Sequence, residues 1–322
     1  LIEIEGVSKR YEGQEKPAVD NLSMRIEDGE ICVFIGPSGC GKSTTLRMIN
    51  RMIEPSSGNI KIDGENIACC NPDKLRMGIG YVIQQIGLLP HKTVGQNIAI
   101  VPRLYGWSKD RIEQRVKELL EVVGLDPEVE TDKYPSQLSG GQMQRVGVAR
   151  AMAVDPKIML MDEPFGAVDP IARTRLQDEF LRLQKKIKKT ICFVTHDIDE
   201  AIKMGDKIAI FNQGKLIQYD TPHNILTKPA NNFVKDFIGS DRMSKRLKLI
   251  SAGEIAKPAS AHAEDAAQNI EHFIESTASI QDAMSLMLEK DAEYIGVIGQ
   301  GEEAGIISFN EIRRYINQRA GE

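Results

Sequence analysis

Ile31-Cys32-Val33-Phe34-Ile35-Gly36-Pro37-Ser38-Gly39-Cys40-Gly41-Lys42-Ser43-Thr44 is the stretch that decides the fold. Its five apolar residues predict a strand buried on both faces, and Leu46, Met48 and Ile49 predict a helix after Thr44. Between them the spacing G-x-x-x-x-G-K-S predicts a loop whose backbone N–H groups turn inward around a phosphate, aided by the partial positive charge of the helix start. Gly36, Ser38, Gly39, Cys40, Gly41 and Thr44 then line the anion, Lys42 supplies a mobile cation and Ser43 is placed to ligate Mg²⁺. A glycine turn before an ordinary helix is the alternative, and the complete spacing in a strand, loop and helix context argues against it. Cys40 has two readings: a thiol at a helix start, with lowered pKa and raised reactivity, or an inert filler of the loop.

Further along, Asp162-Glu163 directly follows the apolar run Ile158-Met159-Leu160-Met161. A carboxylate at a strand end can hold the Mg²⁺ of a phosphate loop, and its neighbour can orient and deprotonate an attacking water, so Asp162 is assigned to the metal and Glu163 to the base. Without the phosphate loop, the pair would read as a solvated acidic turn before Pro164. Ile191-Cys192-Phe193-Val194 and Ile208-Ala209-Ile210-Phe211 repeat the buried-strand pattern, with an amphipathic helix carrying Leu176, Phe180 and Leu183 before them. Buried strands alternating with helices imply a mostly parallel α/β sheet covered on both faces.

Upstream, Leu1 to Ile4, Val19 to Ile26 and Ile60 to Gly64 read as half-buried strands, and the helix of the phosphate loop is expected over 42–52. Tyr81 to Gln84 is a further strand. From Gly87 to about Ala153 the pattern is helical, with Ile112, Val116, Leu119, Leu120 and Val123 on one face between a Ser108 N-cap and a Gly124 stop.

With 322 residues the length prior is about two domains. No window approaches the roughly 18 consecutive apolar residues of a membrane span, and no charged-then-apolar leader precedes the first strand. The five cysteines show no metal-ligand spacing, which favours a reducing compartment, and adjacent Cys69-Cys70 reads as loop chemistry. Residues 240–322 hold 9 Lys/Arg against 14 Asp/Glu, leaving 32 against 32 before them, so the net charge of −5 sits in the last part. That distribution argues against nucleic acid as the main ligand and marks a compositional boundary near Gly239.

Leu138-Ser139-Gly140-Gly141-Gln142 opens a second helix, Met143 to Met152, with another anion-binding geometry. One phosphate loop serves one nucleotide, so this second surface makes sense as the cap of a nucleotide held by another copy, in a head-to-tail dimer. With this motif the chain resembles the ATP-binding subunit of an ABC transporter, on the phosphate loop 36–44, LSGGQ at 138–142, IMLMDEP at 158–164 and Thr195-His196-Asp197, in that order over residues 1–239. The fold implied is a P-loop NTPase α/β core with an N-terminal antiparallel β subdomain and an inserted helical subdomain over about 87–153. The cofactors implied are ATP and Mg²⁺.

The resemblance implies roles residue by residue. Tyr11 would stack on adenine, Gln84 would contact Mg²⁺ and relay to the membrane partner, and His196 would touch the γ-phosphate. Asp169 would reach across the dimer, and Ser139 and Gly141 would meet the γ-phosphate held by the other subunit. Singly, Tyr11 reads as a surface aromatic, Gln84 as a strand-end residue and His196 as a backbone partner. One departure from the family stands at Gly166-Ala167-Val168-Asp169, where Ser-Ala-Leu-Asp is common; Asp169 is kept.

Met48 to Pro55, Ile83 to His91 and Met161 to Ala167 look like the subfamily importing glycine betaine, carnitine, choline and related osmoprotectants. That likeness implies permease subunits as partners, an extracytoplasmic binding protein acting through them, and a peripheral position on the cytoplasmic face of the inner membrane. Import of another solute, or a non-transport ABC ATPase of DNA repair or translation, is the alternative. The latter generally needs two cassettes or a long coiled coil, absent here.

In 240–322, Arg242, Lys245, Arg246 and Lys248 form a basic cluster that reads as a solvated linker helix, with a membrane-surface contact as the other reading. Lys257 to Gln268 reads as a linker. Ile280, Ala283, Met284, Met287 and Leu288 form a helix face, followed by strands at Tyr294 to Ile298 and Gly305 to Ser308 and a helix at Glu311 to Asn317. This α+β order looks like one cystathionine-β-synthase-type regulatory module, carried by Ser279-Ile280-Gln281-Asp282-Ala283 and Gly305-Ile306-Ile307. Such importers often carry two in tandem, and this chain has room for one.

Overall fold

The computed structural model describes residues 1–83, 87–166, 168–258, 270–299 and 302–319. The chain divides into two units, Leu1–Pro222 and His223–Glu322. The packing division therefore precedes the compositional boundary at Gly239, because the short helix Asn232–Ile238 belongs to the second unit.

Two sheets build the first unit. The antiparallel sheet runs in the order β2 (Val19–Ile26), β1 (Ile2–Lys9), β4 (Ser57–Ile62) and β5 (Glu65–Asn66). Its alternation is that of a sheet with one wet face: Val19, Leu22, Met24 and Ile26 are buried while Asn21, Ser23 and Arg25 are exposed. The second sheet runs β10 (Lys215–Asp220), β9 (Lys207–Asn212), β3 (Ile31–Ile35), β8 (Thr190–Val194), β7 (Ile158–Asp162) and β6 (Ile79–Val82). All neighbours from β9 to β6 are parallel, and every residue of β3, β7 and β8 is buried. Phe34 of β3 meets Phe211 of β9 edge-on at 5.4 Å between ring centres, in a core that also takes Leu46 and Ile49.

The helix after the phosphate loop spans Lys42–Ile49, shorter than the expected 42–52, because Arg51 takes a backbone φ of +52°. The inserted layer contains helices at Val94–Ile98, Ile100–Leu104, Lys109–Val122, Pro127–Glu130 and Gly140–Ala151. Ser108 is the N-cap residue of Lys109–Val122 but makes no side-chain cap. Ile112, Val116, Leu119 and Leu120 are buried as their spacing requires.

In the second unit, β11 (Phe273–Glu275) lies parallel to β12 (Tyr294–Gly299), which pairs antiparallel with β13 (Glu302–Ser308). Helices Ile280–Glu289 and Phe309–Arg319 complete a strand, helix, strand, strand, helix order. Two expectations change. The helix Arg242–Leu249 is no solvated linker: Lys245 and Arg246 are buried, and Leu247 joins Ile250, Ile255, Ile280, Met287 and Ile295 in the core. Its basic residues mask an apolar stripe, and Lys245 is accommodated because Nζ donates to Ile238 O at 2.9 Å and pairs with Asp241 at 3.0 Å. Leu288 leaves the buried face, at 71% exposure, since Ile280, Ala283 and Met287 already complete the stripe. Lys257, expected in a linker, exchanges both backbone hydrogen bonds with Ile306; 259–269 lie outside the described residues.

Candidate functional site

Parallel strands deliver their carboxyl ends to one edge, and there the loop after β3, the end of β7 and the end of β8 come together. Glycine is required twice in the loop. Gly36 has φ +147° and a Cβ there would sit 2.2 Å from Phe211 O; Gly41 has φ +105° and a Cβ there would sit 2.4 Å from Ala18 O. Gly214 N–H donates to Cys40 O at 3.2 Å and Gly214 O accepts from Asp20, so the β9–β10 turn clamps the loop to the antiparallel sheet. Ser38 and Gly39 are exposed at the mouth, and Thr44 is half-buried in the first helical turn.

Gly41 caps its helix with no side-chain acceptor, so the first helical N–H groups keep their donor capacity for an incoming anion. Buried Lys42 curls back over the loop, donating from Nζ to Gly36 O at 2.7 Å and Pro37 O at 3.0 Å. Ser43 Oγ donates to Asp162 Oδ1 at 2.9 Å, bringing together two hard oxygen donors 119 residues apart. Burial pushes the Asp162 carboxyl above its ordinary range; the Ser43 hydrogen bond and the Arg47 charge offset this only in part. A Mg²⁺ ion fits such a pair, since it takes few protein oxygens and fills its octahedron with water and phosphate.

Glu163 turns sharply off β7 with φ +48°, its N–H donating to Val194 O at 2.9 Å. That turn sets Glu163 Oε1 3.4 Å from His196 Nδ1, whose side chain is 64% exposed. His196 is held from beneath: Thr195 N–H donates to Phe34 O at 3.1 Å, and Thr195 Oγ1 accepts from Asp197 N–H at 3.0 Å. Asp197 caps the helix Ile198–Met204 by accepting from the N–H groups of Asp199 and Glu200. Three supporting residues carry no local sequence signal, because each works on a segment remote in the chain. Arg173 bridges Val168 O at 3.0 Å and Asp197 Oδ2 at 3.7 Å, and buried Gln177 donates to buried Glu200 at 2.9 Å. Burial raises the Glu200 pKa, opposed by hydrogen bonds from Thr195 and Gln177.

Cys40 is a correction. The thiol is buried at 3% exposure, and desolvation raises its pKa despite the Lys42 charge beside it. It packs under the loop, 2.8 Å from where a Gly36 Cβ would stand, so the filler reading holds.

Other expected residues lie apart. Tyr11 is half-exposed in the turn after β1, with Lys9 Nζ 5.4 Å from its ring centre. Ser139 and Gly140 are exposed, Gly141 and Gln142 half-buried, and among the described residues no hydrogen bond joins 139–142 to 36–44. Ser139 and Gln142 instead form a capping box, with Ser139 Oγ accepting from Gln142 N–H at 3.3 Å and Gln142 Oε1 from Ser139 N–H at 2.9 Å. Asp169 is exposed at the start of the helix Pro170–Ile187. Gln84 lies outside the described residues.

Residues 19–166 match the family model described as ABC transporter. The chain is 48% identical to the osmoprotectant import ATP-binding protein OsmV of Salmonella typhimurium, over 97% of this chain and 80% of that one. It is also 48% identical to the carnitine transport ATP-binding protein OpuCA of Listeria monocytogenes, over 97% of this chain and 76% of that one. Among solved structures it is similar to the dimeric post-hydrolysis state of the ATP-binding cassette MJ0796 bound to ADP and Pi, with a TM-score of 0.62 and 32% identity over 69% of this chain and 99% of that one.

Proposed function

The chain belongs to the ABC transporter family, and on that premise we propose how it acts as the ATPase subunit of an importer for quaternary-amine osmoprotectants. One observation supports the site assignment: Lys42 folds over the phosphate loop, Ser43 of that loop bonds Asp162 at the end of β7, and Glu163 beside it pairs with His196 just after β8. Lys42 and the loop N–H groups bind and orient the phosphates of ATP. Ser43, Asp162 and Gln84 would hold Mg²⁺, which when bound supplies charge neutralisation on the phosphates. Glu163 orients a water and takes its proton as that water attacks, and His196 contacts the γ-phosphate. Tyr11 stacks on the adenine.

Because Ser139 and Gly140 are exposed and, among the described residues, no hydrogen bond joins 139–142 to the chain's own phosphate loop, Ser139, Gly140, Gly141 and Gln142 serve a second copy, whose nucleotide they cap; Asp169 reaches across the same interface. Closure of two copies on two ATP then moves the permease subunits, to which an extracytoplasmic binding protein delivers the solute. Among the described residues no helix is long and apolar enough to cross a membrane, consistent with a peripheral subunit on the cytoplasmic face. The strand and helix order of the C-terminal sheet supports a cystathionine-β-synthase-type module, and the role proposed for it is to pair with its copy and regulate transport. Glu163→Gln tests the central assignment. It should keep ATP binding, lower turnover by at least ~100-fold and trap ATP-bound dimers in sedimentation; unchanged phosphate release refutes the role of Glu163.

A further inference from the structure

The capping box of Ser139 is held from outside its own helix. Gln142 uses Oε1 for the Ser139 N–H, and its Nε2 donates at 3.3 Å to Glu130 Oε1, which also accepts from Lys133 Nζ at 3.0 Å. Glu130 is only 7% exposed, and its second oxygen, Oε2, is buried without a hydrogen-bond partner. A buried, half-satisfied carboxylate lowers stability, so packing alone does not account for it at this position.

The chemistry of the pair does account for it. An ionised carboxylate only accepts, whereas an amide has one accepting and one donating end. Glu130 therefore dictates which end of Gln142 faces it, and the remaining end, Oε1, is forced toward Ser139 N–H. Without Glu130 the amide can rotate by half a turn and present a donor to the Ser139 N–H, which loses that half of the capping box and leaves only the Gln142 N–H on Ser139 Oγ. Two residues just after Glu130 also receive another element: Lys133 O accepts from Val94 N–H at 2.8 Å and Thr131 O from Gly95 N–H at 2.9 Å. A Cβ on Gly95 would lie 2.7 Å from Thr131 Cγ2, so the helix Val94–Ile98 sits directly on this strap.

We infer that Glu130 is a positioning residue for ATP-driven closure: it orients the Gln142 amide, which orients Ser139 at the helix start that meets the partner copy's nucleotide. The inference rests on the composite-site reading above. Through the carbonyls of Thr131 and Lys133 the same strap also holds the start of the helix Val94–Ile98.

The test uses the full chain carrying Glu163→Gln, with dimerisation followed by sedimentation at graded MgATP and monomer affinity by a fluorescent ATP analogue. Glu130→Ala should weaken the ATP-bound dimer about tenfold, the loss of one charge-assisted hydrogen bond. Analogue binding to the monomer should change by less than about twofold, because the phosphate loop is untouched. Glu130→Gln, which can still offer a carbonyl oxygen, should restore most of the dimer. Gln142→Leu should match Glu130→Ala, and the double variant should be no worse than either. A dimer unaffected by Glu130→Ala, parallel loss of monomer binding, or additive losses in the double variant overturns the inference. Ser139→Ala separates the two levels: if it leaves the dimer intact the composite reading fails, and if it weakens the dimer while Glu130→Ala does not, only the role of Glu130 fails.

Discussion

Replacing Glu163 by glycine should make the protein more stable while removing its activity. At φ +48° this residue occupies the left-handed region, held there by its N–H on Val194 O and by its own carbonyl accepting from Gly166 N–H at 3.1 Å. A side chain in that conformation costs about 1–2 kcal/mol. Glycine removes that cost and loses about 0.5–1 kcal/mol of backbone entropy on folding. The contact with His196 contributes little, since the imidazole is largely in water. Glu163→Gly should therefore gain up to about 1.5 kcal/mol, with about 0.8 at the middle of the range, or up to about 6 °C in the Tm of the first unit. Glu163→Ala keeps the strain and should stay within about 0.5 kcal/mol of the parent. Both should lose at least ~100-fold in phosphate release. Calorimetry of the three proteins beside a phosphate-release assay measures both properties. If Glu163→Gly melts below Glu163→Ala, the turn is not strained and the backbone argument fails.

Folding raises the Asp162 pKa above its ordinary 3.8, so the folded chain binds this proton more tightly than the unfolded chain. The group's contribution to stability is thus most favourable below pH 3.8 and falls as pH rises through the folded value. Asp162→Asn should accordingly show a higher urea midpoint than the parent at pH 7, a gap that closes below pH 3.8, while turnover in Mg²⁺ falls; a lower midpoint at pH 7 contradicts this. Brief alkylation at pH 7 should modify exposed Cys69 well before buried Cys40, as read by peptide mass spectrometry, and early labelling of Cys40 would show the loop to be open. Lys245→Met leaves Ile238 O without its donor and should lower the stability of the C-terminal unit by about 1–3 kcal/mol, measured by urea unfolding.

What was legible in the chain alone is what is short-range. Gly36 and Gly41 stand where the backbone must turn with positive φ, Lys42 and Ser43 follow on the first helical turn, and the five apolar residues before them can only be a buried strand. Leu138 to Gln142 is equally local, a cap and a helix start whose exposed face follows from its own sequence. The motifs also marked the strands' functional ends, because Asp162-Glu163 and Thr195-His196 come within two residues of an apolar run and the phosphate loop starts at its end.

Only the tertiary structure decided what the environment does to those residues. The sequence left Cys40 open between an activated thiol and a filler of the loop; the turn at Gly214 and the packing beneath Gly36 remove it from water, and desolvation outweighs the Lys42 charge. The basic helix at 242–249 looked solvated until the fold buried its apolar stripe and gave Lys245 a carbonyl to bind. The pairing of Glu163 with His196, the support from Arg173 and Gln177, and the grip of Glu130 on the signature cap all join segments distant in sequence. The reason is physical: backbone geometry and helix-end polarity are set by a few adjacent residues, whereas burial and pairing depend on which remote segment arrives to exclude water.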